Sequence, residues 1–147
     1  MLLVADLMTI DPDTVSPQTN LGEVLRRMRV DGCRQLPVVE GGERLVGIIT
    51  DRDVRLSMHS PLILHEVSQN EVLLRTATAG SVMTLDPISV SPDTPAFRAA
   101  EMLVAYKIGA MPVVDKDRLV GIVSITDVLN RFAEEHRAVE SQVELID

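Results

Sequence analysis

The chain is poor in cysteine, in aromatic residues and in positive charge, and each shortage excludes a class of protein. Cys33 is the only cysteine, so no disulfide can form within the chain. Two phenylalanines, one tyrosine and no tryptophan argue against a surface that stacks the bases of single-stranded nucleic acid. A formal charge of −8 argues against nucleic-acid and anionic-membrane partners, because both need a basic face.

Long apolar runs and a basic leader are also missing. No apolar stretch approaches the roughly 18 residues that a membrane-spanning helix requires, and no positively charged segment precedes an apolar run. We therefore expect a cytoplasmic protein without a membrane partner. Its hydrophobic residues, 46% of the chain, must build the core from Val, Leu, Ile, Met and Ala.

The residues that usually carry chemistry do not form a catalytic or metal-binding pattern. His59, His65 and His136 have no partners at metal-ligand spacing. Ser124 has no histidine near it in the sequence, and Cys33 precedes an apolar run, where a small buried thiol is the expected role. Neither a Gly-x-Gly-x-x-Gly motif nor a Walker loop occurs. We expect no metal, no catalytic residues and no enzyme activity.

An internal duplication dominates the rest of the sequence. Residues 36–54 (LPVVEGGERLVGIITDRDV) resemble residues 111–128 (MPVVDKDRLVGIVSITDV), and residues 6–17 resemble residues 81–92. The offset falls from 75 residues at the first of two apolar runs to 74 at the second, a length change that a polar hairpin turn tolerates. We expect a first repeat over residues 1–58, a linker over 59–76, a second repeat over 77–133 and a polar tail over 134–147.

Each repeat is predicted to fold as β-α-β-β-α, which makes the chain an α/β (α+β) protein. The hairpin strands are predicted at 35–39 and 44–49, and at 110–114 and 118–123. Because these strands are continuously apolar, we expect the sheet to be covered on both faces. A short helix is predicted at 70–75 within the linker, and the polar tail either extends the last helix or frays.

The first long helix of each repeat has recognisable boundary residues. In the first repeat Asn20 caps the helix and Gly32 ends it. The predicted core stripe of this helix is Leu21, Val24, Leu25 and Met28. In the second repeat Thr94 is the cap, Pro95 takes the first helical position and the helix ends near residues 107–109, with Gly109 as the stop. Its predicted core stripe is Phe97, Ala100, Leu103 and Val104.

A hydroxyl and a carboxylate three residues apart stand where the second hairpin strand meets the last helix of each repeat. Thr50 and Asp53 occupy the first junction, and Ser124 and Asp127 occupy the second. A capping box explains this spacing, because the hydroxyl caps the helix and the carboxylate bonds back to the cap N–H. The same groups suit a nucleoside, since a carboxylate there can accept hydrogen bonds from a ribose diol. The residues alone leave both interpretations open.

With these markers the chain resembles the cystathionine-β-synthase (CBS) domain family. Met-Thr with an Asp-Pro turn, the Pro-Val-Val strand, the Leu-Val-Gly-Ile strand and the Thr/Ser-x-x-Asp helix start each occur twice and in the same order. The resemblance covers residues 1–58 and 77–133. It implies a tandem pair of repeats packed sheet to sheet around a pseudo-two-fold axis, with a site that draws on both repeats.

The resemblance also implies an adenosyl ligand, foremost AMP, ADP or ATP. Asp127 and Asp53 would hold the ribose diol, with Ser124 and Thr50 beside them. The second junction fits the fuller Ser/Thr-x-Ser/Thr-Asp pattern of the family, so we expect the cleft that contains Asp127 to be the occupied one. The other expected ligand-binding residues are Thr126, Ala110, Met111, Thr84, Val90, Arg52, Thr9, Val15 and Gln35.

The first junction departs from that pattern, because Arg52 stands where the second repeat has Thr126. Arg52 or Arg55 either neutralises a ligand phosphate or lies on a solvated helix face. For Met8 and Met83 we expect packing in the core.

The expected function is that of a stand-alone regulatory module that senses an energy or metabolite signal. It requires no cofactor, and the adenine nucleotide is its regulatory ligand. The apolar helical stripes left after packing favour a homodimer, and an effector protein is a further expected partner. Two alternatives are a purely structural dimerisation module with empty clefts and a detached regulatory subunit of a nucleotide-metabolism enzyme.

Overall fold

The computed structural model describes the backbone of residues 1–58 and 67–146, and the side chains of residues 1–58 and 71–137. The strands are β1 (Thr9–Ile10), β2 (Gln35–Glu40), β3 (Arg44–Thr50), β4 (Thr84–Leu85), β5 (Ala110–Asp115) and β6 (Arg118–Ser124). The helices are α1 (Val4–Leu7), α2 (Leu21–Asp31), α3 (Asp51–Met58), α4 (Val67–Thr76), α5 (Ala79–Val82), α6 (Ala96–Tyr106) and α7 (Ile125–Ile146). None of the described helices is both long and apolar enough to cross a bilayer.

The predicted fold class and both hairpins are confirmed. β2 pairs antiparallel with β3, and β5 pairs with β6. The linker contains a helix, α4, that is longer than the predicted 70–75, and α7 continues along the polar tail to Ile146. His59 and His65 lie outside the described residues.

The chain forms two compact units, which we name after their junction carboxylates. The Asp53 unit comprises Pro12–Pro87 and Lys116–Leu119. The Asp127 unit comprises Met1–Asp11, Ile88–Asp115 and Val120–Asp147. Each unit therefore joins the main part of one repeat to the leading segment, with its Met-Thr pair, of the other repeat.

In the Asp53 unit the leading segment of the second repeat lies across the hairpin of the first. β4 pairs antiparallel with β3, with Thr84 opposite Ile48. Gly47 permits this approach, because a Cβ there would lie 2.8 Å from the Thr84 carbonyl oxygen and 2.6 Å from Met83 Sδ. Val15 forms a parallel bridge with Val38 of β2. The core of the unit is Val15, Leu21, Val24, Met28, Leu36, Val38, Ile49, Val54 and Ala79.

The Asp127 unit repeats this arrangement with the leading segment of the first repeat. β1 pairs antiparallel with β6, with Thr9 opposite Ile122. A Cβ at Gly121 would lie 2.8 Å from both the Thr9 carbonyl oxygen and Met8 Sδ. Met8 and Met83 each pack against the core of their own unit, as predicted. The core of the Asp127 unit is Val4, Val90, Ala99, Leu103, Met111, Val113 and Val123.

The boundaries of α2 are as predicted, whereas the residues that cap α6 at its two ends are not. Asn20 Oδ1 accepts a hydrogen bond from Glu23 N–H at 2.8 Å, and Gly32 ends α2 with a φ of 67°. Pro95, not Thr94, is the N-cap of α6, because the Thr94 hydroxyl turns back to accept a hydrogen bond from the backbone of Ser91 at 3.1 Å. α6 ends at Tyr106, just before the predicted range 107–109, and its left-handed C-cap is Lys107, with a φ of 55°, instead of Gly109.

The predicted core stripe of α6 is also wrong at two positions. Ala96, Ala99 and Leu103 are buried, whereas Phe97 and Val104 are 61% and 77% exposed. α6 carries apolar residues around much of its circumference, so residue size and spacing alone do not identify its buried face. Two alanines and Leu103 fill that face, and Phe97 and Val104 are exposed to solvent.

The turns of the two hairpins explain the one-residue difference between the repeats. Gly41 and Gly42 have φ values of 57° and 95°, and the pairing of β2 with β3 shifts register between Val38 and Val39. The shorter turn of the second repeat places Lys116 and Asp117 at φ values of 51° and 66°. Both turns thus reverse the chain with positive φ at two successive residues, as tight hairpins require.

Candidate functional site

The junction between β3 and α3 is a closed hydrogen-bonded turn. Asp53 N–H donates to Thr50 Oγ1 at 3.0 Å, and Thr50 N–H donates to Asp53 Oδ2 at 3.0 Å. Pairing with β2 fixes the strand end, because Gln35 lies opposite Thr50 and Arg34 C=O accepts a hydrogen bond from Asp51 N–H at 2.9 Å. The Thr50 and Asp53 side chains are half-buried.

The junction between β6 and α7 repeats these bonds with different residues. Asp127 N–H donates to Ser124 Oγ at 3.1 Å, and Ser124 N–H donates to Asp127 Oδ2 at 2.8 Å. Gly109 C=O accepts a hydrogen bond from Ile125 N–H at 2.9 Å. Ser124 and Asp127 are half-buried. Both junctions therefore form capping boxes.

The capping boxes occupy only half of each carboxylate. Asp53 and Asp127 both use Oδ2 for the backbone N–H, and no hydrogen bond from the described residues reaches either Oδ1. An ionised carboxylate has about four acceptor sites on its two oxygens. Each junction can therefore cap its helix and still accept a hydrogen bond from a hydroxyl donor.

The second residue of each helix distinguishes the two junctions. This residue is Arg52 in α3 and Thr126 in α7, and both side chains are exposed. Arg55, further along α3, pairs with Asp51 at 3.4 Å. Arg52 forms no ion pair within the part of the chain that the structure describes. Among the described residues, Arg55 thus has an ion-pair partner and Arg52 has none.

The Asp53 unit also contains Gln35, Thr84 and Val15. Gln35 is half-buried at the start of β2, and Thr84 is exposed on β4. Val15 is only 3% exposed. Its N–H donates to Pro37 C=O at 3.1 Å, and its C=O accepts from Val39 N–H at 2.9 Å. Val15 therefore contributes to the core and to the sheet, and its side chain presents almost no surface to a ligand.

The Asp127 unit contains Thr9, Val90, Ala110 and Met111. Thr9 is exposed on β1. Val90, Ala110 and Met111 are 7%, 5% and 0% exposed, so their side chains belong to the core. Among the predicted residues of the Asp127 unit other than Asp127, those with accessible polar groups are Thr9, Ser124 and Thr126. The sequence did not reveal that Thr9 belongs to the Asp127 unit and Thr84 to the Asp53 unit.

Among the residues that the structure describes, neither Cys33 nor His136 forms a hydrogen bond with a catalytic partner. Cys33 is half-buried at the end of α2, and burial raises the pKa of its thiol, which keeps it protonated at neutral pH. His136 is exposed, its ring stacks on Phe132 at 4.0 Å, and its Nδ1 lies 2.9 Å from the Phe132 carbonyl oxygen.

An apolar groove lies on the surface of the Asp127 unit, and neither Ser124 nor Asp127 lines it. It has a volume of about 290 Å³ and includes Phe97, Ala100, Val128 and Phe132 from α6 and α7. Phe97 and Phe132 are 61% and 59% exposed. Large exposed apolar side chains that cluster in this way are typical of an interaction surface.

The chain matches a known family twice and a relative over nearly its whole length. The model of the CBS domain family matches residues 4–60 and 79–134. The chain is 33% identical over 130 residues to a CBS domain-containing protein of Dictyostelium discoideum, covering 88% of this chain and 90% of that protein. The predicted resemblance is therefore confirmed.

Two solved structures with adenosyl ligands have similar folds. CBSX2 of Arabidopsis thaliana, crystallised in complex with AMP, has a TM-score of 0.77 and 26% identity, covering 92% of this chain and 99% of that chain. The CBS domain pair of protein MJ0100, in complex with 5′-methylthioadenosine and S-adenosyl-L-methionine, has a TM-score of 0.75 and 28% identity. That similarity covers 92% of this chain and 98% of the other. The three ligands share an adenine and a ribose diol.

Proposed function

The chain belongs to the CBS domain family, and from this premise we propose that it is a regulatory module that binds an adenosyl ligand. AMP, ADP and ATP are the candidate ligands. The observation that carries the proposal is the geometry of Asp53 and Asp127. Each half-buried carboxylate keeps one oxygen free of hydrogen bonds from the described residues while the other caps a helix.

A ribose diol fits the chemistry of this free oxygen. Its vicinal hydroxyls are donors, and a carboxylate is an acceptor-only group with capacity beyond the capping bond. Ser124 Oγ accepts from Asp127 N–H and still has its own hydrogen to donate. The exposed hydroxyl of Thr126 is one residue away. The Asp127 junction thus combines an acceptor for the diol with two hydroxyls for neighbouring ligand oxygens.

The proposed action is regulation by ligand binding, without a chemical step on the ligand. A bound ligand changes the state of a protein only if its affinity differs between two states. We propose that the binding free energy is passed to an effector protein in this way. Support comes from the Dictyostelium relative, which consists of CBS domains over nearly the same length.

We also propose that the module is a homodimer, supported by the apolar groove on α6 and α7. Phe97 and Phe132 expose more than half of their surface there, and burial of such side chains stabilises association. Light scattering should give the mass of two chains for the wild type. Phe132→Ser should shift the mass toward one chain, whereas an unchanged mass would exclude this groove as the interface.

A thermal-shift panel tests the proposed ligand class. The panel contains adenosine, AMP, ADP, ATP, S-adenosylmethionine and methylthioadenosine, with GMP and GTP as controls. At 100 times Kd a ligand stabilises the folded state by about 2.7 kcal/mol, which is roughly 5–10 °C for a chain of this size. We expect such a shift with an adenosyl compound and none with the guanosine controls. No shift with any adenosyl compound at millimolar concentration would instead support the structural module with empty clefts.

A further inference from the structure

The two junctions have the same hydrogen bonds but a different charge. The capping hydroxyl and the carboxylate occupy equal positions in α3 and α7, with bond lengths between 2.8 and 3.1 Å. Between them lies Arg52 in the Asp53 unit and Thr126 in the Asp127 unit, both exposed. A guanidinium therefore accompanies one carboxylate and a neutral hydroxyl accompanies the other.

Helix stability does not account for Arg52. Cations are disfavoured in the first turn of a helix, where the macrodipole is positive. Asp51 and Asp53 do not compensate for it, because residues one apart on a helix do not face each other. Asp51 instead pairs with Arg55 at 3.4 Å. Arg52 is therefore an exposed cation with no ion pair among the described residues, and its guanidinium is available to an anionic ligand.

We propose that Arg52 makes the Asp53 junction select adenosyl ligands with a longer phosphate chain, ATP or ADP, whereas the Thr126 side of the Asp127 junction takes ligands with fewer phosphates. This inference rests on the proposed function. Arg donates charge-assisted hydrogen bonds to phosphate oxygens, and Thr donates only a neutral one. In a chain with a net charge of −8, a polyanionic ligand needs such a local cation.

The test isolates the Asp53 junction in an Asp127→Asn background. Asn retains an oxygen that can accept the capping bond from Ser124 N–H but loses the charge. Calorimetric titrations compare adenosine, AMP and ATP without divalent cations. We expect ATP to bind more tightly than AMP, and Arg52→Gln to weaken ATP binding by about tenfold or more, as loss of a charge-assisted bond implies. Adenosine affinity should change by less than about twofold.

Two further variants control for general effects of charge. Arg55→Gln removes a paired arginine from the same helix and should leave the preference for ATP unchanged. Thr126→Arg in an Asp53→Asn background should create a preference for ATP at the other junction. The thermal midpoint of Arg52→Gln should not fall below that of its parent, because the substitution removes an unfavourable cation from the first helical turn.

The possible failures are distinguishable. An unchanged ratio of ATP to AMP affinity in Arg52→Gln, with adenosine still bound, would overturn the charge selection and leave the proposed function intact. The charge selection would also be overturned if the Asp127→Asn parent bound no ligand while the wild type did. If the wild type binds no adenosyl compound, the proposed function and this inference both fail.

Discussion

The leading segment of the first repeat passes close to Gly121 of β6, so Gly121→Ala tests the exchange of leading segments between the repeats. The new Cβ would lie 2.8 Å from the Thr9 carbonyl oxygen and 2.8 Å from Met8 Sδ. Met8 is flexible and can move. Thr9 C=O belongs to the backbone of the β1–β6 pair and cannot turn away without disrupting it.

The expected loss of stability follows from these distances. Overpacking a well-packed site costs about 1–3 kcal/mol, and alanine regains about 0.5–1 kcal/mol over glycine in a strand. Because Thr9 C=O cannot turn away, we expect an overpacking cost in the upper part of this range, about 2–3 kcal/mol. The net loss is then about 1–2.5 kcal/mol, which lowers the thermal midpoint by roughly 2–10 °C for a chain of this length. Urea unfolding of wild type and variant measures the free energy directly.

A double-mutant cycle identifies the segment that causes this loss. Met8→Ala should reduce the penalty of Gly121→Ala, because it removes one of the two close contacts. Met83→Ala should have an additive effect, since Met83 approaches Gly47 instead, where a Cβ would lie 2.6 Å from its sulfur. Coupling of Gly121 to Met83 and not to Met8 would refute the exchange, as would a Gly121→Ala variant as stable as the wild type.

Two further predictions concern α2. Hydrogen bonds from Arg26 and Arg27 lower the pKa of Glu23 from 4.5 to about 2, so its stabilising contribution is present above pH 4.5 and is lost as the pH falls toward 2. Glu23→Gln should therefore weaken the pH dependence of unfolding in that window, and parallel pH profiles for both proteins would contradict the assignment. Asn20→Ala should lower the free energy of unfolding in urea by about 0.5–2 kcal/mol, because it removes the N-cap of α2. Thr94→Ala should lower it by less, since Thr94 does not cap α6. Equal losses in the two variants would show that Thr94 does cap α6.

Local sequence signals predicted the parts of the fold that local physics determines. The hairpins follow from continuous apolar runs separated by polar turns. Asn20 and Gly32 mark the ends of α2, because a side-chain oxygen and a left-handed glycine satisfy helix ends by themselves. The capping boxes of the junctions were predictable for the same reason, as each closes within four residues.

The leading segments depend on contacts distant in sequence and were not predicted to exchange. β1 and β4 have two residues each, too few for a periodic pattern. One signal was present in both repeats: Gly47 and Gly121 interrupt apolar strands, and a glycine there often marks a close approach of another backbone. That signal marks where another backbone approaches, but it does not say which leading segment lies there.

The buried face of α6 could also have been read from the duplication. The offset of 75 residues places Ala96, Ala99 and Leu103 opposite the core residues Leu21, Val24 and Met28 of α2. The same offset places the exposed Phe97 and Val104 opposite Gly22 and Arg29. Hydrophobicity favoured the larger side chains, whereas equivalence between the repeats gave the correct face.

The most direct test of the proposed function is a calorimetric titration of AMP into wild type, Asp127→Ala and Asp127→Asn, with Asn20→Ala as the control that loses a helix cap in another place. We predict that Asp127→Ala loses about 2–4 kcal/mol of binding free energy, since hydrogen bonds to a charged group contribute about 1.5–3 kcal/mol each. Asp127→Asn, which can keep the capping bond, should also bind AMP more weakly, and Asn20→Ala should bind like the wild type. Equal AMP affinity in all four proteins would contradict the assignment of Asp127 to the ribose.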